Sequence, residues 1–274
     1  MLGKPGSPPE IWMTQIQYMN DHKEWWHAYE LIREPLRALS TDSRDIIRNY
    51  AKYWIDAFDL TTASSISMAF HRVFVLSVSE EPDLLSQWRG YTPDGGYCIE
   101  FSPGALAGIA TKNNLELRRC VYDDQEKKSV INQLFDSIIQ DLTEGVVSDE
   151  IRSTVQDRTQ QVISTAGLKM QRAFSEFACY FKHASFREEK EWRLTGAVPA
   201  GGGDSRERWR TRGNVILPYA AIPLSDSMSV EPAIRGVIVG PNIDFQLAEH
   251  SIRFVTYGRK SGLSITQSKS TLRR

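Results

Sequence analysis

Apolar residues recur at helical spacing in four long stretches of the chain. In "SRDIIRNYAKYWIDAFDL", residues 43–60, Ile46, Ile47, Tyr50, Ala51, Trp54, Ile55 and Phe58 fall on one face at a period of about 3.6 residues, which predicts an amphipathic helix. "NDHKEWWHAYELIREPL", residues 20–36, predicts another, with Asn20 or Asp21 as its N-cap. In residues 129–142, Val130, Ile131, Leu134, Phe135, Ile138, Ile139 and Leu142 make one stripe. Residues 149–181 carry Ile151, Val155, Val162, Met170, Phe174, Phe177 and Phe181 at broadly helical spacing, with Gly167 as a candidate break. A short helical turn is expected at "PDLLSQW" and a last helix near Asn242.

Strand signals fill much of the remainder. "IWMTQIQ", "HRVFVLSVS", "YCIEF", "LELRRCVY", "EWRLTGAV" and "LSITQS" alternate or are β-branched. "NVILPYAAIPL" reads as a strand interrupted at Pro218, and the continuous apolar run "AIRGVIVGP" as a strand central in its sheet. "PAGGGDSRERWRTRG" reads as a loop, flexible at its glycines and basic after them. Helices grouped early and in the middle, with strands dominating the rest, predict an α+β fold: a mixed, mostly antiparallel sheet with flanking helices. The expected organisation is a flexible Gly/Pro/Ser-rich stretch at 1–10 and a single domain over 11–274.

Composition adds limits. At 274 residues and 41% apolar content the chain can bury a sizeable core. Its net charge of −1 gives no global argument for nucleic acid or an anionic membrane, although a local basic patch remains open. Cys98, Cys120 and Cys179 are odd in number and far apart, so reduced thiols are expected rather than a disulfide framework or a cysteine zinc site. No apolar run reaches bilayer-spanning length and "MLGKPGSPPE" lacks a signal-peptide core, which predicts a soluble, cytoplasmic protein.

Two stretches concentrate candidate chemistry. Read as one strand, "FREEKEWRL" points Glu189, Glu191 and Arg193 to one face and Glu188, Lys190, Trp192 and Leu194 to the other. Trp192 and Leu194 then face the core and the carboxylates face solvent or a cleft. Carboxylates two residues apart sit roughly 6–7 Å from each other and can share a substrate. A solvated face with cross-strand ion pairs explains the same pattern. His183, just upstream, reads as a base, a ligand or a capping group.

The second stretch is "SQWRGYTPDGGYCIEF". Arg89 flanked by Trp88, Tyr91 and Tyr97 suits a phosphate and a planar base, and equally suits a hairpin whose aromatics finish a core. No P-loop, dinucleotide fingerprint, nucleophile elbow or histidine metal spacing is present, so no metal ligand is assigned. "RERWRTR", residues 206–212, is a basic cluster around Trp209 that fits nucleic acid or a solvated loop.

Taken together and in order, "MND", "DLLSQWRGY…GGYCIEF", "FKHASFREEKEWRL", "LPY" and "IRGVIVGPN" resemble the bacterial domain-of-unknown-function family 2971, from Ile11 onward. Members are associated with bacterial defence or toxin systems. The nearest mechanistic likeness is to ADP-ribosyltransferases, which use an E-x-E-like carboxylate strand late in the sequence. That resemblance implies NAD as substrate, Glu191 stabilising an oxocarbenium-like transition state and Glu189 orienting the acceptor. It also implies that Arg89 or Arg193 holds the pyrophosphate, with Trp88 and Tyr91 beside it. Two alternatives stand beside this one. One is a metal-dependent nuclease or nucleotide-processing enzyme using His183, Glu189 and Glu191. The other is a non-enzymatic nucleotide- or protein-binding module. The expected partners are a nucleotide or small molecule and a protein or nucleic-acid acceptor, with no membrane.

Overall fold

The computed structural model describes residues 9–19, 23–60, 73–147, 155–197, 206–224, 232–257 and 262–271. Expectations for residues 1–8 and for the Asn20 or Asp21 cap lie outside these. The fold is α+β, with sheets that are mostly antiparallel. The chain divides into two compact units, one of residues 1–15, 74–119 and 188–274, the other of residues 16–73 and 120–187.

The first unit is built on β1 (Glu10–Gln15), β2 (Val73–Ser79), β4 (Glu116–Arg119), β5 (Glu191–Ala197), β6 (Glu207–Arg212) and β7 (Val215–Pro223). They form a six-stranded sheet in the order β4-β5-β2-β1-β7-β6. One face is apolar. Ile11 and Met13 of β1, Phe74 of β2, Leu194 of β5 and Ala220 and Ile222 of β7 pack there with Leu106, Ile109 and Ala110. The last three come from α4 (Pro103–Lys112), whose start is capped by Ser102 Oγ accepting from the Ala105 N–H, with Pro103 at the first turn. The helix is invisible to a periodicity search because its apolar side chains are small and two glycines dilute the stripe.

A second sheet in this unit joins β3 (Tyr97–Phe101), β8 (Ile234–Val239) and β9 (Ser264–Gln267), with β8 central as its continuous apolar run predicts. β3 pairs with β8 antiparallel, and β9 pairs with β8 parallel. Two helices accompany it, α3 (Leu85–Tyr91) and α7 (Phe245–Thr256), the latter capped by Asp244.

The second unit is helical. α1 (Lys23–Leu39), α2 (Asp45–Leu60), α5 (Asp124–Val147) and α6 (Val155–Tyr180) bury Ile32, Leu36, Ile47, Ile131, Ile138, Met170 and Phe174 among one another. The buried Tyr50 hydroxyl donates to the Ala166 carbonyl at 2.8 Å, which satisfies the one polar atom of that ring.

Four expectations need correction. Residues 207–212 are a strand, β6, where the sequence suggests a loop; Arg208, Arg210 and Arg212 alternate with Glu207, Trp209 and Thr211 and pair along β7. β7 runs through Pro218 without interruption. Pro218 lies past the last β1 partner of β7, Thr14 opposite Tyr219, so no β1 acceptor loses a bond there. Gly167 does not break α6, which continues from Val155 to Tyr180. Finally, "FREEKEWRL" is not one strand: Ala184–Glu189 is a 3-10 turn, and β5 begins at Glu191. Lys190 between them has φ +41°, which ends the alternation on which the placement of Glu189 rested.

Candidate functional site

The corrected register moves Glu189 out of the strand and leaves Glu191, Arg193 and Thr195 on one face of β5. Leu194 lies on the apolar face, so this trio occupies the opposite one. That face is not open to solvent. Glu191 is 4% exposed and Arg193 2%, less than Trp192, which the sequence assigns to the core. Trp192 is instead half-buried and donates its indole N–H to Glu80 Oε1 at 2.7 Å. Arg193 Nε donates to Glu191 Oε1 at 2.7 Å. The two residues therefore form a buried, charge-assisted pair within one strand.

The turn before β5 is held firmly. The Ser79 hydroxyl donates to the Glu189 carbonyl at 2.6 Å, and the Glu80 N–H donates to the Lys190 carbonyl at 3.3 Å. Lys190 pairs with Glu81, and this contact pushes the lysine up from its ordinary value. Glu189 is buried at the end of the turn, Glu188 is exposed, and each side chain of "EEKEWR" thus has its own environment.

The same sheet face continues onto four further strands. Arg208, Tyr219, Thr14 and Val75 form one cross-strand row. Beside it Trp12 and Tyr219 meet with ring centroids 4.7 Å apart, and the Arg210 guanidinium lies 5.6 Å from the first ring and 5.7 Å from the second. Arg210 donates from Nη2 to Thr14 Oγ1 at 3.0 Å, while its buried Nε has no partner among the described residues. Arg208 makes two hydrogen bonds to Glu10, at 2.9 and 3.1 Å. Sequence reasoning missed Trp12, Arg210 and Tyr219. The alternation "E-W-T" in β1 and "R-R-R" in β6 carries the signal, but reading β6 as a loop hides it.

The second predicted group has a different environment. Trp88 is buried, and its indole N–H donates to Asp83 Oδ1 at 2.7 Å. Its ring packs on Gly240, where a side chain would come within 2.8 Å of Trp88 Cζ3. Trp88 is thus a core residue of the three-stranded sheet's surroundings. Arg89 and Tyr91, on the same helix, are exposed, as is Tyr97 on β3. Arg193 belongs to the large sheet and Trp88 to α3, so the four residues assigned to a dinucleotide are divided between two structural settings.

His183 belongs to the helical unit, and Glu189 and Glu191 to the sheet unit. His183 is exposed and its Nδ1 accepts from the Ser185 N–H at 3.3 Å. Among the described residues no group of three or more His, Cys, Asp and Glu side chains is placed to hold a metal ion.

Residues 87–194 match the family described as protein of unknown function (DUF2971). All seven predicted site residues, from Trp88 to Arg193, lie inside this segment. The further pieces "MND", "LPY" and "IRGVIVGPN", and the Trp12 and Arg210 positions, lie outside it. No curated protein and no solved structure matches the chain. No helix among the described residues is long and apolar enough to cross a membrane.

Proposed function

We propose that the chain is an ADP-ribosyltransferase-like enzyme acting on NAD, with Glu191 as its central anion. The observation that carries this reading is the sheet face that joins the Glu191–Arg193 pair to Arg210 between Trp12 and Tyr219. Neighbouring strands are about 4.8 Å apart, so β5 and β1 are about 10 Å apart and β5 and β7 about 14 Å. An extended dinucleotide covers such a span.

The chemistry assigns a role to each group. Breaking the bond between ribose and nicotinamide sends the electron pair to the leaving nicotinamide and leaves positive charge on the ribose. A positioned carboxylate stabilises that charge, and most strongly where water is excluded. Arg193 holds Glu191 Oε1 and so fixes the direction of the other oxygen. Arg210 supplies a cation for the pyrophosphate, and Trp12 and Tyr219 supply flat surfaces beside it. An acceptor oxygen or nitrogen then attacks the ribose carbon, and its proton passes to solvent. Glu189 orients that acceptor. On this reading the chain acts in the bacterial cytoplasm as a defence or toxin effector.

Incubating the purified chain with labelled NAD and cell lysate tests this. Nicotinamide release or label transfer is expected. Glu191→Gln keeps an acceptor and the side-chain volume but removes the charge facing buried Arg193, so its thermal midpoint should fall, and at a temperature where the variant is still folded its turnover should drop by about 10²-fold or more. Absence of both NAD loss and label transfer from the parent protein removes the reading.

A further inference from the structure

The backbone edge of β6 takes no part in the proposed NAD chemistry. Among the described strands β6 is outermost in the large sheet and pairs with β7 on one side only. The Ala221 N–H donates to the Arg206 carbonyl at 2.8 Å. In an antiparallel ladder, residues that bond to the neighbouring strand alternate with residues that do not. The register is unbroken from Glu207 opposite Ala220 to Arg212 opposite Val215. Arg208, Arg210 and Arg212 therefore direct their N–H and C=O groups to β7. Trp209 and Thr211 direct theirs outward, where no described residue meets them.

The two faces of this edge differ in chemistry. Residues directly opposite one another share a face, so Trp209 lies with Pro218, and Thr211 with Ile216, on the face that carries Ala220. There Trp209 is 66% exposed and Ile216 63%, two large apolar side chains side by side at the surface. Arg208, Arg210 and Arg212 lie on the other face. Glu10 bonds Arg208, and Arg210 rests against Trp12 and Tyr219. Three guanidiniums against Glu10 leave that strip of the face basic.

This alternation selects the occupant. An added β-strand pairs its backbone with the open edge and sends its side chains to both faces in turn. A nucleic-acid strand lying on either face meets the arginines or Trp209, not both, and leaves the outward amides unmet. A second copy of the chain, joined antiparallel through β6 by a two-fold axis, sets arginine opposite arginine, because opposite residues share a face, and like charges there repel. We propose that β6 is a docking edge for an extended acidic peptide segment of a partner protein. The segment adds a further strand to the sheet, with carboxylates against Arg208, Arg210 and Arg212 and apolar side chains against Trp209 and Ile216.

Calorimetric titration of the whole chain tests this, with a capped octapeptide of alternating glutamate and valine, its lysine–valine counterpart and oligothymidylate as separate probes. The acidic peptide should bind saturably and the basic one more weakly by about tenfold or more. In the free chain the Trp209 and Thr211 amides should exchange faster than those of Arg208 and Arg210, and the acidic peptide should slow them. Thr211→Pro removes one outward N–H and no bond to β7, so the chain should stay folded while peptide affinity drops about tenfold or more. Thr211→Val should retain the affinity. Trp209→Ala, at an exposed position, should weaken binding by about the same factor. No NAD is present, so peptide binding and NAD turnover succeed or fail independently. No saturable binding of the acidic peptide, equal affinity for the lysine peptide, tighter binding of oligothymidylate, or parent-like affinity in a folded Thr211→Pro or in Trp209→Ala each overturns the proposal.

Discussion

At Lys190 the backbone takes φ +41°, and that single residue separates two carboxylates which simple alternation would align. Glu191 is fixed by Arg193, while Glu189 ends a turn. His27 shows the same dependence on immediate neighbours. Burial lowers its pKa from the ordinary 6.5, the Lys127 ammonium lowers it further, Asp124 opposes this, and His183 adds to the lowering. The sign follows from linkage. A histidine whose folded value is depressed is neutral in the fold while the unfolded chain already takes up protons. Its stabilising contribution is therefore whole above pH 6.5 and is lost as pH falls from there through the lowered folded value. His27→Gln keeps an acceptor for Lys127 and cannot titrate. Urea midpoints at pH 7.5 and about 5.5 should fall less in the variant than in the parent. Equal losses in both would show that the Lys127, Asp124 and His183 contacts do not govern the His27 proton.

Among the elements, the long helices were the most legible. The stripes in 43–60 and 129–142 reappear in α2 and α5 because each is long, regular and buried on one side. α4 was missed because Ala105, Leu106, Ile109 and Ala110 are few and small. β6 was missed because its arginines read as a solvated loop, whereas Arg208 is tied to Glu10 and Arg210 to Thr14 across the sheet. Those partners are almost two hundred residues away, and local pattern does not reveal them. Gly167 is the instructive error in α6: glycine weakens a helix but does not end one that packing supports. A β-carbon there would lie 3.9 Å from Trp54 Cζ2, an ordinary contact. Gly167→Ala should therefore stabilise the protein by about 0.5–1 kcal/mol, read as a higher denaturation midpoint with an unchanged slope. A lower midpoint would mean that the interior beside Trp54 has no room for a methyl group.

At the scale of the whole chain, strands in sequence order are not strands in sheet order. The central strands β2 and β1 of the large sheet are flanked by β5 and β7, from residues 191–197 and 215–223. Class and most elements were legible from local pattern, but the sheet face on which Glu191, Trp12 and Arg210 gather depends on long-range pairing that no local signal encodes. The three-stranded sheet is closed in the same long-range way, through Asp83. Burial pushes its carboxyl up, yet hydrogen bonds from Ser268, Trp88 and Lys269 outweigh that and hold it below the ordinary range. Ser268 Oγ lies 2.5 Å and Trp88 Nε1 2.7 Å from Oδ1, and the Lys269 N–H lies 2.7 Å from Oδ2. One carboxylate thus ties α3 to the segment that follows β9, 185 residues on. Asp83→Asn retains one acceptor but turns an amide donor toward either a donating indole or a donating backbone N–H. The expected loss is about 1–3 kcal/mol, concentrated where the tie acts. Amide exchange should accelerate in Ser264–Gln267 and tryptophan fluorescence should report a looser Trp88, while exchange in β1 and β7 changes little. Uniform acceleration across all strands of this unit would instead make Asp83 a contributor to global stability, and its role as a local closure would be wrong.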